Sequence, residues 1–149
     1  MSVPTPLHTI INAFKTAPKP LRIELLLEYG KRVRPLPKEL AALGYEMEQV
    51  TECQTPLFLA TEFPDEDRVI LHFDAPSEAP TTRGFAGILT EGLSGLPMEA
   101  VLETPDDFYL EMGLAEVISP LRLRGMAAMM TRLKRQIREH HEHTRSNEL

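Results

Sequence analysis

The spacing of apolar residues changes twice along this chain, and this change constrains the fold more than any other feature. Near the start, apolar residues recur at the spacing of one helix face, at Leu7, Ile10, Ile11 and Phe14. From residue 47 to residue 73 they instead form short runs bounded by turn residues, as strands do. Beyond residue 85 the helical spacing returns. This order predicts an α+β fold, in which several helices pack against a small sheet.

Three strands are predicted in the middle of the chain, over residues 47–50, 56–63 and 68–73. Residues 64–67 read Pro-Asp-Glu-Asp, which is turn chemistry, and they separate the last two strands by a short connection. Short connections join antiparallel neighbours. We therefore expect a three-stranded antiparallel meander.

Helices are predicted on both sides of this sheet region. Thr5 followed by Pro6 is typical of a helix cap and a first helical residue. The later helices are expected over residues 20–30, 38–43, 85–93, 97–102 and 104–113, and a last, long helix from residue 120 carries the apolar stripe Leu123, Met126, Met130, Leu133 and Ile137. The chain has 149 residues and no internal repeat, so we expect one domain over residues 1–143 and a polar, frayed tail over residues 144–149.

Charge is unevenly distributed, and the distribution excludes some partners. Residues 46–117 carry sixteen acids and two arginines, a net charge of −14, while the stretches on either side each carry +4. An acidic middle argues against a nucleic-acid groove, which needs a continuous basic face. A protein partner with a basic patch is a better match, although the same acids also serve simply to keep a surface soluble.

The start of the chain and its hydropathy bear on location. Residues 1–6 have neither the basic nor the apolar region of a signal peptide, and no apolar run reaches the roughly 20 residues of a membrane-spanning helix. A single cysteine cannot form an internal disulfide. We therefore expect a cytoplasmic protein that does not enter a membrane.

Cys53 is the only cysteine and the main candidate for chemistry. It lies between two predicted strands, with polar neighbours Glu52, Gln54 and Thr55. A lone cysteine is often only a buried packing residue. A connection between strands, however, normally lies on the surface, where a thiol is a liability unless it has a use.

The reactions open to one thiol are nucleophilic attack on carbon, nucleophilic attack on sulfur, and redox sensing. A cysteine hydrolase needs a histidine base. His8 and His72 are the histidines outside the C-terminal tail, and alternation in its strand turns His72 away from the face of Val69, Leu71 and Phe73. No triad is indicated. Sulfur transfer needs only a thiolate, access and a donor, because it is the same displacement as thiol–disulfide exchange.

Four segments, in register, resemble one family. Residues 52–58 read Glu-Cys-Gln-Thr-Pro-Leu-Phe and resemble the loop of SufE-like sulfur acceptors, typically Gly-Cys-Gln-Ser before an apolar strand. Residues 82–85 are similar to that family's basic–glycine helix start. Residues 108–114 and 118–126 resemble its helix with a Gly-Leu end and its Ser-Pro-x-Arg-x-x-Gly segment. The resemblance covers roughly residues 7–140.

The resemblance implies a compact α+β fold shared with iron–sulfur scaffold proteins (SufE/IscU-like). It implies a partner, a SufS-type pyridoxal-phosphate cysteine desulfurase, whose activity the acceptor stimulates by taking its persulfide sulfur and passing it to an iron–sulfur scaffold. Carried onto this chain, the acceptor is Cys53, and no cofactor resides on the protein beyond a transient persulfide there. We expect a monomer or a weak homodimer.

Glu52, Gln54, Arg83 and Arg122 are further candidates, either for orienting the Cys53 loop or for contacting the desulfurase. Glu52 stands where the family has glycine, and Arg124 stands where a small polar or amide residue is common. The charge of Glu52 should raise the pKa of the thiol. A basic group of the partner, or Arg83 or Arg122, is expected to offset it.

Two other functions stay open, together with one expectation about access. An iron–sulfur scaffold typically uses four cysteines, against the one present here, and an interaction module would carry an incidental cysteine. No segment has metal-ligand spacing, and His140, His141 and His143 are expected in a solvated tail. At rest, Cys53 is expected in an apolar pocket formed with residues 85–93 and 120–137.

Overall fold

The computed structural model describes residues 3–34, 36–53 and 55–148. Within these ranges the chain forms six α-helices, two short 3₁₀ helices and one sheet. The helices are α1 Thr5–Thr16, α2 Lys19–Gly30, α3 Lys38–Ala42, α4 Pro80–Leu93, α5 Met98–Glu103 and α6 Pro120–Glu148. The strands are β1 Glu48–Gln49, β2 Phe58–Glu62 and β3 Ile70–Asp74, and the 3₁₀ helices are Phe108–Met112 and Leu114–Glu116.

The sheet is the predicted antiparallel meander, with β2 between β1 and β3. Glu48 of β1 lies opposite Leu59, and Leu59 lies opposite Phe73 of β3. Side chains alternate between the two faces of a sheet. Leu71 and Phe73 therefore share one face and His72 lies on the other, as expected, opposite Ala60 of β2. The predicted α+β fold is confirmed.

Helix α6 carries the predicted apolar stripe on its buried face. All five stripe residues, from Leu123 to Ile137, are buried in the core. The helix packs against α4, α5 and β2, so it forms one wall of the domain. It continues to Glu148, where the sequence predicted a frayed tail from Thr144.

Besides the longer α6 and shifts of one or two residues at other element ends, three helical segments differ from the sequence-based expectations. Thr5 is the first residue of α1 and not its cap, because the extended Pro4 precedes it. Helix α4 begins at Pro80, five residues before the predicted start, since proline's fixed φ suits the first helical position. Residues 108–112 form a 3₁₀ helix that ends at Gly113, which has φ +70°. The sequence instead predicted an α-helix over residues 104–113.

Helices α2 and α4 approach so closely that their backbones touch. An ideal Cβ placed on Gly87 of α4 would overlap the carbonyl oxygen and carbon of Tyr29 in α2. Backbone atoms cannot rotate out of the way as a side-chain tip does. Glycine at residue 87 is therefore required by this helix packing, and α4 also packs on α1, α6 and β3.

Gly87→Ala is expected to lower the free energy of unfolding by about 3 kcal/mol or more, since overpacking against backbone outweighs the ~1 kcal/mol of helix propensity that alanine adds. The measurement is urea denaturation followed by circular dichroism. Gly44→Ala is the control, because Gly44 has φ +96° with nothing within 4 Å of its ideal Cβ. It should lose only about 1–2 kcal/mol of backbone strain. Equal losses in the two variants would contradict the close helix contact.

Candidate functional site

The Cys53 loop connects β1 to β2 and is closed at its base by backbone bonds. Val50 N–H donates to the Leu57 carbonyl at 2.8 Å, and both side chains are fully buried. Beyond this pair the chain leaves the sheet, and Cys53 N–H donates back to the Val50 carbonyl at 3.2 Å. The described part of the loop, residues 51–53 and 55–56, thus extends from a fixed base, and its thiol is partly buried.

The sulfur of Cys53 faces a small cavity between the loop and two helices. The other lining residues come from the loop, from α4 and from α6: Thr55, Thr82, Phe85, Leu121, Arg122 and Gly125. The volume is about 50 Å³, far below the about 300–1,000 Å³ of pockets for small-molecule ligands. A pocket formed with residues 85–93 and 120–137 is present as predicted, with Phe85 and Gly125 among its walls, but it is not the apolar pocket expected, because Thr55, Thr82 and Arg122 also line it.

Two features of the packing place the sulfur next to these helices. The Thr55 and Thr82 hydroxyls are hydrogen-bonded at 3.0 Å, which ties the loop to the start of α4. On the α6 side, an ideal Cβ placed on Gly125 would lie 3.0 Å from the Cys53 sulfur. Only the missing side chain of Gly125 lets the thiol lie this close to α6.

Burial keeps the thiol protonated at neutral pH. The pKa of Cys53 is raised to about 11: burial is the largest cause, the negative charge of Glu52 acts in the same direction, and Arg132 acts in the opposite direction. The predicted effect of Glu52 is confirmed in direction, but burial is the larger cause. In this closed arrangement the thiolate, which is the nucleophile, is scarce.

Glu52 is neutralised by Arg132, which the sequence analysis did not single out. The Arg132 guanidinium donates to Glu52 Oε1 from Nη2 at 2.6 Å and from Nε at 3.1 Å. These bonds hold the pKa of Glu52 below its usual value. The expected offset from Arg83 or Arg122 is thus supplied within the fold by Arg132 of α6.

Arg83 and Arg122 have different surroundings. The Arg83 guanidinium donates to the Ala75 carbonyl at 2.5 Å and to the Gly30 carbonyl at 3.4 Å, so it links the end of α2 to the residue after β3 and is not among the residues that line the cavity. Arg122 is exposed and lines the cavity. Gln54, the remaining candidate, lies outside the described residues.

The histidines do not join this site. His72 is buried and is hydrogen-bonded through Nε2 to Glu62 Oε1 at 2.9 Å. His140, expected in a solvated tail, is half-buried and stacks on Phe63, with ring centroids 3.6 Å apart.

Among the described residues, no three or more His, Cys, Asp or Glu side chains converge as metal ligands would. In the same part of the chain, no helix is both long and apolar enough to cross a membrane.

Comparison with known proteins identifies the family. A family model described as "SufE: Fe-S metabolism associated domain" matches residues 8–137. A SufE-like protein of Mycobacterium tuberculosis is 51% identical over 138 residues, which cover 93% of this chain and 95% of that protein.

More distant relatives carry the same family name. "SufE-like protein 1, chloroplastic/mitochondrial" of Arabidopsis thaliana is 30% identical over 86% of this chain and 33% of its own length. "Cysteine desulfuration protein SufE" of Plasmodium vivax is 28% identical over 70% of this chain and 40% of its own length.

A solved structure shows the same fold at high similarity. The solution structure of a hypothetical protein from Thermus thermophilus superimposes with a TM-score of 0.82 at 46% identity, covering 93% of this chain and 97% of that one. The family model, the Mycobacterium tuberculosis relative and the solved structure each match most of the chain. The chain therefore belongs to the SufE family, whose domain is associated with iron–sulfur metabolism.

Proposed function

We propose that this protein accepts a sulfur atom on Cys53 from a SufS-type cysteine desulfurase and passes it to an iron–sulfur scaffold. The observation that carries the proposal is the position of the thiol: it is the chain's only cysteine, at a loop, facing a cavity that holds no more than a few atoms. Such a cavity shelters one added atom and excludes an organic substrate. The name "cysteine desulfuration protein" of the Plasmodium relatives supports the same assignment.

The transfer is a displacement at sulfur. The Cys53 thiolate attacks the terminal sulfur of the donor's cysteine persulfide, a new S–S bond forms, and the donor's own S–S bond breaks. The donor leaves as a thiolate and Cys53 carries the persulfide, so there is no net oxidation or reduction. The proton of the Cys53 thiol passes to solvent or to the departing thiolate. Removal of the persulfide frees the desulfurase for another turnover, and this accounts for stimulation.

The closed loop cannot carry out this attack at a useful rate. With a pKa of about 11, about one thiol in 10⁴ is ionised at pH 7. The thiol must leave the cavity, and a partner drives that change only by binding the open loop better than the closed one. If about 1% of free molecules are open, that differential binding needs to supply roughly 2.7 kcal/mol to reach equal populations.

The mouth of the cavity is the proposed contact for the desulfurase. Leu121 is 45% exposed there, and the exposed Arg122 lies beside it. Arginine is enriched at protein interfaces, and the exposed Leu121 beside it adds apolar surface that a partner can cover. Both residues belong to the first turn of α6, close to the sulfur that the partner must reach.

Incubation with a SufS-type desulfurase and L-cysteine is expected to add the mass of one sulfur atom to the protein. Cys53→Ser should abolish that gain, because no other thiol is present. Intact-protein mass spectrometry under non-reducing conditions makes the measurement. A sulfur gain that persists in Cys53→Ser, or no gain in the unaltered protein while the desulfurase turns over, would contradict the proposal.

Gly125→Ala is expected to displace the thiol from α6 and so favour the open loop, since the new Cβ would lie 3.0 Å from the sulfur, a tight contact that the sulfur must move to relieve. Less burial lowers the pKa of Cys53 from about 11 toward its ordinary value of 9.0. Alkylation by iodoacetamide should then accelerate up to about 100-fold near neutral pH, where the rate follows the thiolate fraction. The rate should reach its plateau at a lower pH than in the unaltered protein.

Thr131→Ala is the control for this variant, because it alters an exposed residue of the same helix outside the cavity. Its pH–rate profile should match that of the unaltered protein. A Gly125→Ala profile that coincides with both would show that the sulfur does not rest against α6.

A further inference from the structure

Arg132 connects α6 to the Cys53 loop at a second place, away from the cavity. It follows Gly125 by seven residues, which is two helical turns, or about 10 Å, along the same face of α6. One end of its guanidinium donates to Glu52, and Nη2 also donates to the Thr51 hydroxyl at 3.0 Å. Both acceptors belong to the loop residues directly before Cys53.

The other end of the same guanidinium binds a fixed point. Nη1 donates to Glu48 Oε2 at 2.5 Å. Glu48 belongs to β1 and is held to α6 by two further residues, Arg135 and Gln136, the latter at 2.9 Å. Arg132 therefore links an anchored carboxylate of the sheet to a carboxylate of the loop.

The Glu52 side chain is held by fewer contacts than the Glu48 side chain. In the part of the chain that the structure describes, Arg132 is the only residue outside the loop that binds its carboxylate; within the loop, Thr51 donates to it at 3.2 Å. The Glu52 side chain is 49% exposed, against 29% for Glu48. An exposed ion pair of this kind is weak, so it can be opened without disturbing the Glu48 anchor.

We propose that Arg132 is a positioning residue whose bonds to Glu52 and Thr51 hold the Cys53 loop closed, and that their release is a step in exposing the thiol. This inference rests on the proposed function for its purpose. Arg132 touches neither the sulfur's cavity nor the reacting atoms, and it acts through the loop. This positioning role differs from a purely electrostatic role, in which the charge of Arg132 would only stabilise the Cys53 thiolate.

The two roles predict opposite results when the charge is removed. Arg132 lowers the pKa of Cys53 and compensates Glu52, which raises it. By field alone, Arg132→Gln would raise the pKa of the thiol and slow its alkylation. If Arg132 holds the loop closed, the same change exposes the sulfur and removes the burial that is the largest cause of the raised pKa, so alkylation accelerates.

The experiment is iodoacetamide alkylation of the free, full-length protein across a pH series, followed by mass spectrometry. Arg132→Gln is expected to react about two- to fivefold faster, which is the population change that losing an exposed ion pair produces. Arg132→Lys keeps the charge but loses the forked contacts, so it should show a smaller acceleration, where a field effect predicts none. Introducing Arg132→Gln into Glu52→Gln should add little, because the contact is already lost.

Arg135→Gln is the matched control. It removes the same charge from the next turn of α6, where Arg135 binds Glu48 and Glu139 but not Glu52, and its alkylation rate should stay unchanged. Circular dichroism confirms that each variant is folded; if Arg132→Gln is not, Arg132→Lys decides. An unchanged or slower rate in the folded Arg132 variants, or full additivity with Glu52→Gln, overturns the proposal. No desulfurase is present, so the outcome is independent of whether Cys53 accepts sulfur.

Discussion

Packing of the Cys53 loop onto helix α6 is the interaction on which the rest of the site depends. The loop has a rigid base, because a backbone hydrogen bond joins Val50 to Leu57 and both residues are buried in the core. Its sulfur lies against Gly125, and its preceding glutamate is bound by Arg132. Helix α6 is itself fixed by its buried stripe, so the core of the domain determines where the thiol rests. A variant that shifts α6 would thus alter the reactivity of a residue about 70 positions earlier in the chain.

Burial, more than charge, controls the thiol. Glu52 places a negative charge directly beside Cys53, yet burial is the larger contribution to the raised pKa. The Glu52 carboxylate is half exposed and bound by a guanidinium, so water and Arg132 both weaken its field. On the proposed function, glutamate in place of the glycine expected from the family resemblance is therefore compatible with a reactive cysteine, because opening of the loop relieves the burial that is the larger cause.

The sequence was sufficient for features that depend on local patterns. The meander, the apolar stripe of α6 and the position of His72 all follow from side-chain periodicity. The start of α4 was missed because Thr81 and Thr82 follow Pro80 without apolar spacing, so only the proline marked the first turn. Arg132 was missed because its partner Glu52 is 80 residues away, and no periodicity reports such a contact. The one available hint was the contrast between the acidic middle and the basic C-terminal stretch.

The smallness of the cavity has a consequence for selectivity. A space of about 50 Å³ admits a few atoms beside the sulfur, so a cysteine that has gained a single sulfur atom can still withdraw into the fold. A cysteine joined to a bulky thiol through a mixed disulfide cannot, because the walls formed by Phe85 and Gly125 belong to packed helices. On the proposed function, the cavity therefore selects by the size of the group on the sulfur, since a persulfide and a mixed disulfide are at the same oxidation level: a loaded loop can close, and a loop capped by a bulky thiol stays open to reducing agents.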